Sequence, residues 1–240
     1  MVPVSFAPFG FANREFALGP ARALYWAEER ALLVADLHLE KASYFASYGQ
    51  MLPPYDSRET LSRVARALKA SGARRVFCLG DNFHDSGGPD RLEPEAASML
   101  RVLARLVDWV WITGNHDCKN GKAPGNYLRE LDVAGVILRH EANPGEVRPE
   151  LSGHFHPRLR INARGRHIAR PCAVTSESKL ILPAFGAFTG GMDAADPAIT
   201  DAMQPAQAID ALVPASGRLA RFALWRAPHG MQTAAKLACA

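Results

Sequence analysis

Little in this 240-residue chain is in excess, and several things are absent. It has four cysteines, Cys78, Cys118, Cys172 and Cys239, and none forms a Cys-x-x-Cys pair. The chain is not short and cysteine-dense, so free thiols in a reducing compartment are expected. No apolar run approaches the ~18 residues of a membrane span. The opening MVPVSFAPFGFANREF lacks a basic segment followed by an apolar one, so no secretory leader is read there and the cytoplasm is the expected location. The net charge is only +4, too small an excess to mark a nucleic-acid-binding protein by itself. Seven arginines against three glutamates between positions 139 and 170 concentrate the positive charge. A polyanionic substrate would favour such a field, although a solvated arginine-rich surface would read the same way.

What is present is an alternation of elements. Residues 22–36 read as a hairpin, RALYW and ALLVAD about the polar AEER. Leu61, Val64, Ala65 and Leu68 recur at helical spacing over 56–70, stopped by Ser71-Gly72. The strand RRVFCLGD follows, then a helix over 94–106 with Met99, Leu100, Leu103 and Leu106 on one face, then the strand WVWITGNHD. Strands alternating with helices imply an α/β fold with a partly parallel sheet. The later runs GVILRHE, ELSGHFHP, HIARPCAV, KLILPAFGAF and GRLARFALW are short strands between turns and suggest a mostly antiparallel second sheet. With no linker or repeat, residues 1–225 read as one domain and 226–240 as a loose tail.

Metal-competent side chains cluster where these strands end. They are Asp36 and His38, Gly80-Asp81, Gly114-Asn115-His116-Asp117, His140, and Gly153-His154-Phe155-His156. Residues i and i+2 of a strand share a face, so Asp36 with His38, and His154 with His156, can converge on common ions. A carboxylate such as Asp81 can bridge two cations. Each motif alone is weak, but this ordered set is not a chance pattern.

The set resembles the calcineurin-like metallophosphoesterase superfamily. That resemblance implies a four-layer α/β/β/α sandwich and two divalent ions. Asp36, His38, Asp81 and His156 would hold one ion, and Asp81, Asn115, His140 and His154 the other. His116 would be the catalytic histidine, oriented by Asp117 or Asp85. Where the family often has Gly-Asp-x-x-Asp, this chain reads Gly80-Asp81-Asn82-Phe83-His84-Asp85, which leaves the orienting role open between His84 and Asp85. RALYW…LLVADLHLEK, MLPPYDSRETL, LGDNFHD, GNHD, SGHFHP, RPC and LPAFGAFTGG together are similar to the ligase-associated DNA-damage-response phosphoesterase family. That implies a manganese-dependent phosphodiesterase acting on DNA, functionally associated with a DNA ligase and a helicase. A donor set of aspartate, asparagine and histidine suits manganese, iron or zinc.

The same metal core would equally serve a small-molecule phosphodiesterase or phosphatase acting on a cyclic nucleotide or nucleotide ester. A scaffold that only binds proteins would have lost ligands, and none is missing. Lys41, Arg158 and Arg160 are candidate substrate-binding residues, with a solvated Lys41 the competing reading. Glu40 could support the site or lie on the surface. Tyr44, Phe45 and Tyr48 could stack on a base, but core packing is the expectation.

Overall fold

The computed structural model describes residues 6–228 except 20, 118–121, 164 and 216. Cys118, Cys239 and most of the expected tail lie outside the described residues. The elements run β1 (Ala7–Phe11), β2 (Arg14–Leu18), β3 (Leu24–Trp26), β4 (Ala31–Ala35), α1 (Lys41–Ser47), α2 (Asp56–Ser71), β5 (Arg75–Leu79), α3 (Gly88–Arg91), α4 (Pro94–Leu106), β6 (Asp108–Ile112), β7 (Asn126–Leu128) and β8 (Leu131–Val133). Then come β9 (Val136–Leu138), β10 (Glu150–Ser152), β11 (Arg158–Ala163), β12 (Arg166–Pro171), β13 (Ala173–Thr175), β14 (Lys179–Ile181), α5 (Pro197–Ala202), β15 (Ala208–Ala215) and β16 (Arg218–Arg226).

Two seven-stranded sheets form the centre, in the orders β1-β2-β3-β4-β5-β6-β7 and β16-β15-β13-β14-β10-β9-β8. The first is antiparallel up to β4 and parallel from β4 to β7. The second is antiparallel except where β10 pairs in parallel with β9 and β14. Phe16, Trp26, Leu33, Phe77 and Ile112 of the first sheet meet Val136, Leu138, Leu151, Leu180 and Leu212 of the second in one apolar layer. On the far side of the first sheet, Leu61, Val64 and Leu68 of α2 and Leu100 and Leu103 of α4 cover Leu32, Val34, Val76 and Cys78. On the far side of the second, Ile199 and Ala202 of α5 cover Val174, Ile181 and Ile209. These are the four layers α/β/β/α. All five residues of β4 are buried because both faces of the sheet are covered.

Helix α4 has the expected bounds, started by Pro94, a residue that tolerates the first helical turn because it has no amide to leave unpaired. Its inner face is shifted, however. Ala96, Leu100 and Leu103 are buried, whereas Leu106 is 65% exposed at the helix end. Among the described residues, no helix is long and apolar enough to cross a membrane.

Beneath the second sheet lies a buried charge cluster. Lys179 is fully buried, and its Nζ donates to the carbonyls of Asn143 (2.6 Å), Gln204 (2.7 Å) and Ala202 (2.8 Å), with Glu150 at 3.7 Å. Glu150 also faces Arg139 at 3.4 Å and accepts from the Asn143 amide. The network ties the starts of β10 and β14 to the loop after His140. Lys179→Met would leave three carbonyls without their donor and would take from Glu150 one of the two cations that face it. We expect a loss of roughly 3–5 kcal/mol in urea unfolding. A change below about 1 kcal/mol, the usual range for an exposed pair, would show the cluster to be incidental.

Candidate metal centre

Strands β4, β5 and β6 run in parallel, so their carboxyl ends share one edge of the first sheet, and β9 and β10 do the same in the second. The chain leaving these ends carries the candidate ligands, as open α/β sheets commonly arrange. The ligands nevertheless lie beyond the strands. β4 stops at Ala35 and β10 at Ser152. Strand alternation therefore does not pair Asp36 with His38 or His154 with His156. Left-handed backbone does: φ is 52° at Asp36, 44° at His38, 45° at Asp81, 73° at His154 and 50° at His156. Such residues cost about 1 kcal/mol or more each outside glycine, and they collect at functional sites. Gly80 has φ 75°, and a Cβ there would sit 2.1 Å from His140 Nδ1, so a side chain at 80 is excluded twice over. At Gly153 the need is close approach alone, since a Cβ would meet Asp36 Oδ2 at 2.6 Å.

Two groups of donors result. Asp36, His38 and His156 offer atoms within 4.8 Å of one another, and so do Asp81, His140 and His154. In the first, the Nε2 atoms of His38 and His156 face each other at 3.2 Å, and Asp36 Oδ2 lies 3.7 Å from His156 Nε2. In the second, His154 Nδ1 is 3.0 Å from His140 Nε2, which is 3.4 Å from Asp81 Oδ1. Asp81 Oδ2 also lies 3.9 Å from His38 Nε2, so this carboxylate faces both groups. The His154 amide donates to both Asp36 oxygens (3.1 and 3.0 Å), and the His116 amide donates to Asp81 Oδ1 (3.1 Å).

The chemistry of this set fits divalent cations. Burial, then the neighbouring His156, pushes His38 down to about 2, so its imidazole is neutral and its lone pair available. Facing imidazole nitrogens beside paired carboxylates form a cradle for a shared cation. Asp36, His38, Asp81 and His140 are buried, while His154 and His156 are partly exposed and leave one side open. Asn115 is exposed and lines a cleft with Gly114 and His140.

His116 stands over this edge, half exposed, with Nε2 3.8 Å from Asp81 Oδ2. Its Nδ1 is 2.9 Å from the carbonyl oxygen of His84. A carbonyl only accepts, so Nδ1 carries the proton and Nε2 faces the site. The His84 ring stacks on that of His116 at 5.8 Å between centroids. Asp85 instead pairs with Arg91, which holds the Asp85 carboxyl below its usual range. Asp117 accepts from the amides of Gly114 (2.8 Å), Asn82 (2.9 Å) and Phe83 (3.1 Å) and from Asn82 Nδ2 (2.7 Å). It fastens the β5 and β6 loops together, while Asn82 Nδ2 also donates to the Ile112 carbonyl. Thus neither carboxylate is the hydrogen-bond partner of the His116 ring. A main-chain carbonyl has that place, and no residue-type signal marks it in the sequence.

The other candidates divide. Lys41 donates to the Phe188 carbonyl at 3.1 Å. Arg158 opens β11 two residues after His156, and Arg160 is exposed farther along the same strand. Arg139 is a structural ion, facing Glu130, Glu146 and Glu150 at 3.4–3.6 Å. Glu40 is buried and accepts from Ser57 Oγ at 2.8 Å, so it is not a surface acid. Core packing fails for the aromatic trio. Tyr48 is 68% exposed, and Tyr44 and Phe45 are half-buried against the His84 ring. LPAFGAFTGG packs along the first ligand loop, with Phe185 and Gly186 amides donating to the Ala35 and Asp36 carbonyls.

The family model for calcineurin-like phosphoesterases matches residues 29–158, which contain every candidate ligand. The chain belongs to the calcineurin-like phosphoesterase family. It is thus a metal-dependent phosphoesterase, and the two donor groups are its candidate metal-binding residues. Among solved structures, the chain is similar to the Pseudomonas putida nuclease MPE, at 31% identity and a TM-score of 0.68, covering 90% of this chain and 100% of that one. It is also similar to the E. coli phosphoesterase Yfce, at 14% identity and a TM-score of 0.38, covering 81% of this chain and 99% of that one. No curated protein sequence matches the chain.

Asp117→Asn tests the loop brace. An amide cannot accept from all four donors and turns its own N–H groups on them. We expect a stability loss of roughly 2–3 kcal/mol by thermal unfolding, with weaker manganese binding by calorimetry. Unchanged stability and affinity would mean that the two loops hold their shape without Asp117.

Proposed function

We propose that this protein is a phosphodiesterase that hydrolyses DNA with two divalent cations, manganese for preference. The observation that carries the reading is Asp81, whose carboxylate faces both donor groups. The likeness to the P. putida nuclease supports DNA as substrate. The family resemblance adds a setting in DNA repair beside a ligase and a helicase.

Asp36, His38, Asp81 and His156 would hold one cation, and Asp81, Asn115, His140 and His154 the other. When bound, the pair supplies Lewis acidity to the phosphate oxygens and a water acidified for attack. The chain's own part is orientation and proton transfer. The main-chain bonds to Asp36 and Asp81 fix both carboxylates before any ligand arrives. His116, held through Nδ1, presents Nε2 to the reacting group and gives its proton to the departing oxygen. The His84 carbonyl accepts from Nδ1 and holds the ring in that orientation. Lys41, Arg158 and Arg160 add positive charge along the path of a polyanion.

The deciding measurement is cleavage of end-labelled single-stranded and duplex DNA by manganese-loaded protein, with EDTA controls. His116→Ala should lower kcat by about 10²–10⁴-fold while retaining metal. Asp81→Asn should be the most severe of the ligand changes. Hydrolysis of bis(p-nitrophenyl) phosphate without DNA cleavage would replace DNA by a small diester. Normal turnover by Asp81→Asn would remove the two-metal reading.

A further inference from the structure

We propose that Arg22, flanked by Arg63 and Arg158, forms a second anion site beside the metal centre, for a phosphate of the substrate strand other than the one being cleaved. The inference rests on the polynucleotide reading above.

Arg22 lies in the turn joining β2 to β3, where its amide donates to the Gly19 carbonyl and the Gly19 amide to the Ala23 carbonyl. Its φ is 73°, a left-handed value that a long side chain adopts only at some cost. Turns of that shape ordinarily use glycine or asparagine. The guanidinium is held in place by a hydrogen bond of its own. One Nη1 donates to the Ala184 carbonyl at 2.9 Å, and Ala184 bridges to Ala35, the neighbour of Asp36. The group is therefore anchored on the segment next to the first candidate ligand, and this is its one side-chain hydrogen bond among the described residues.

Arg14, Arg58, Arg75 and Arg91 each face a carboxylate. No such pair is formed by Arg22 or Arg158 among the described residues. The charges of Arg63 and Arg158 instead lie close enough, after burial, to lower the Arg22 pKa. Arg63 is already paired with Glu59, so it adds field more than a free donor. Arg158 follows His156 by two residues, and its stem lies flush on Gly191. A Cβ at 191 would be 2.7 Å from Arg158 Cγ and Cδ and 2.3 Å from the His156 carbonyl oxygen. Arg22 also shares a cavity with Arg170. Like charges gathered there, with Arg22 and Arg158 in no ion pair among the described residues, are what a phosphate would relieve. Planar guanidinium groups match its oxygens in pairs. A small diester has one phosphate, and the metal centre takes it. Only a polymer brings another within reach, so the site would act on strands alone.

The test compares kcat/KM for an oligodeoxynucleotide and for bis(p-nitrophenyl) phosphate in wild type, Arg22→Gln and Arg158→Gln. Glutamine at 22 removes the charge and keeps a polar side chain. Arg158→Gln is the second variant should Arg22→Gln fail to fold, as judged by its thermal midpoint. We expect the oligonucleotide-to-diester ratio to fall about tenfold or more in each, through KM, with a flatter salt dependence of the oligonucleotide KM. A ratio equal to wild type in both variants overturns the site while leaving the nuclease reading intact. Wild-type protein that hydrolyses the diester and leaves DNA uncut overturns the nuclease reading, and the strand site falls with it.

Discussion

The site depends on the face-to-face packing of two sheets. Trp26, Phe77 and Ile112 on one side and Leu138, Leu151 and Leu180 on the other fix how the sheets lie. Aligned sheets bring their carboxyl edges together. Ligands from positions 36 to 156 can then meet, although no two groups but 36/38 and 154/156 are close in sequence. The apolar layer and the chemistry are one design, because a slip of either sheet would part Asp81 from His140.

The buried charges extend this dependence into the second sheet. Lys179, Glu150 and Arg139 set the loop after His140 and the start of β10. On the other side, Asp117 and Asn82 join the β5 and β6 loops. The loops after β5, β6 and β9 are thereby held by groups outside the two donor groups.

Much of this was legible in sequence, for identifiable reasons. Helix α4 announced itself through Pro94 and its apolar spacing, and the parallel strands through unbroken apolar runs such as LLVA and VFCL. The candidate donors stand out because aspartate, asparagine and histidine recur at successive strand ends, with Asp81, Asn115 and His154 directly after glycine. Other features had no such mark. β1 and β2 lie in a stretch where phenylalanine, alanine and glycine give no clean alternation, and β7 and β8 are three residues long. The exposure of Tyr48 was misjudged because helical spacing alone does not say which face meets the core. The partner of the His116 ring is a main-chain carbonyl, and so is that of the Arg22 guanidinium. Neither is a property of residue type.

The left-handed ligand loops have an evolutionary corollary. At positions 36, 38, 81, 154 and 156 the backbone screens amino acids before metal chemistry does. Aspartate, asparagine and histidine are the non-glycine residues most at ease there, and they are also hard or borderline donors. Cysteine and glutamate can ligate cations but lack that enrichment. The centre's restricted alphabet is thus filtered twice, and a drift toward softer metals would first require the loops to be rebuilt.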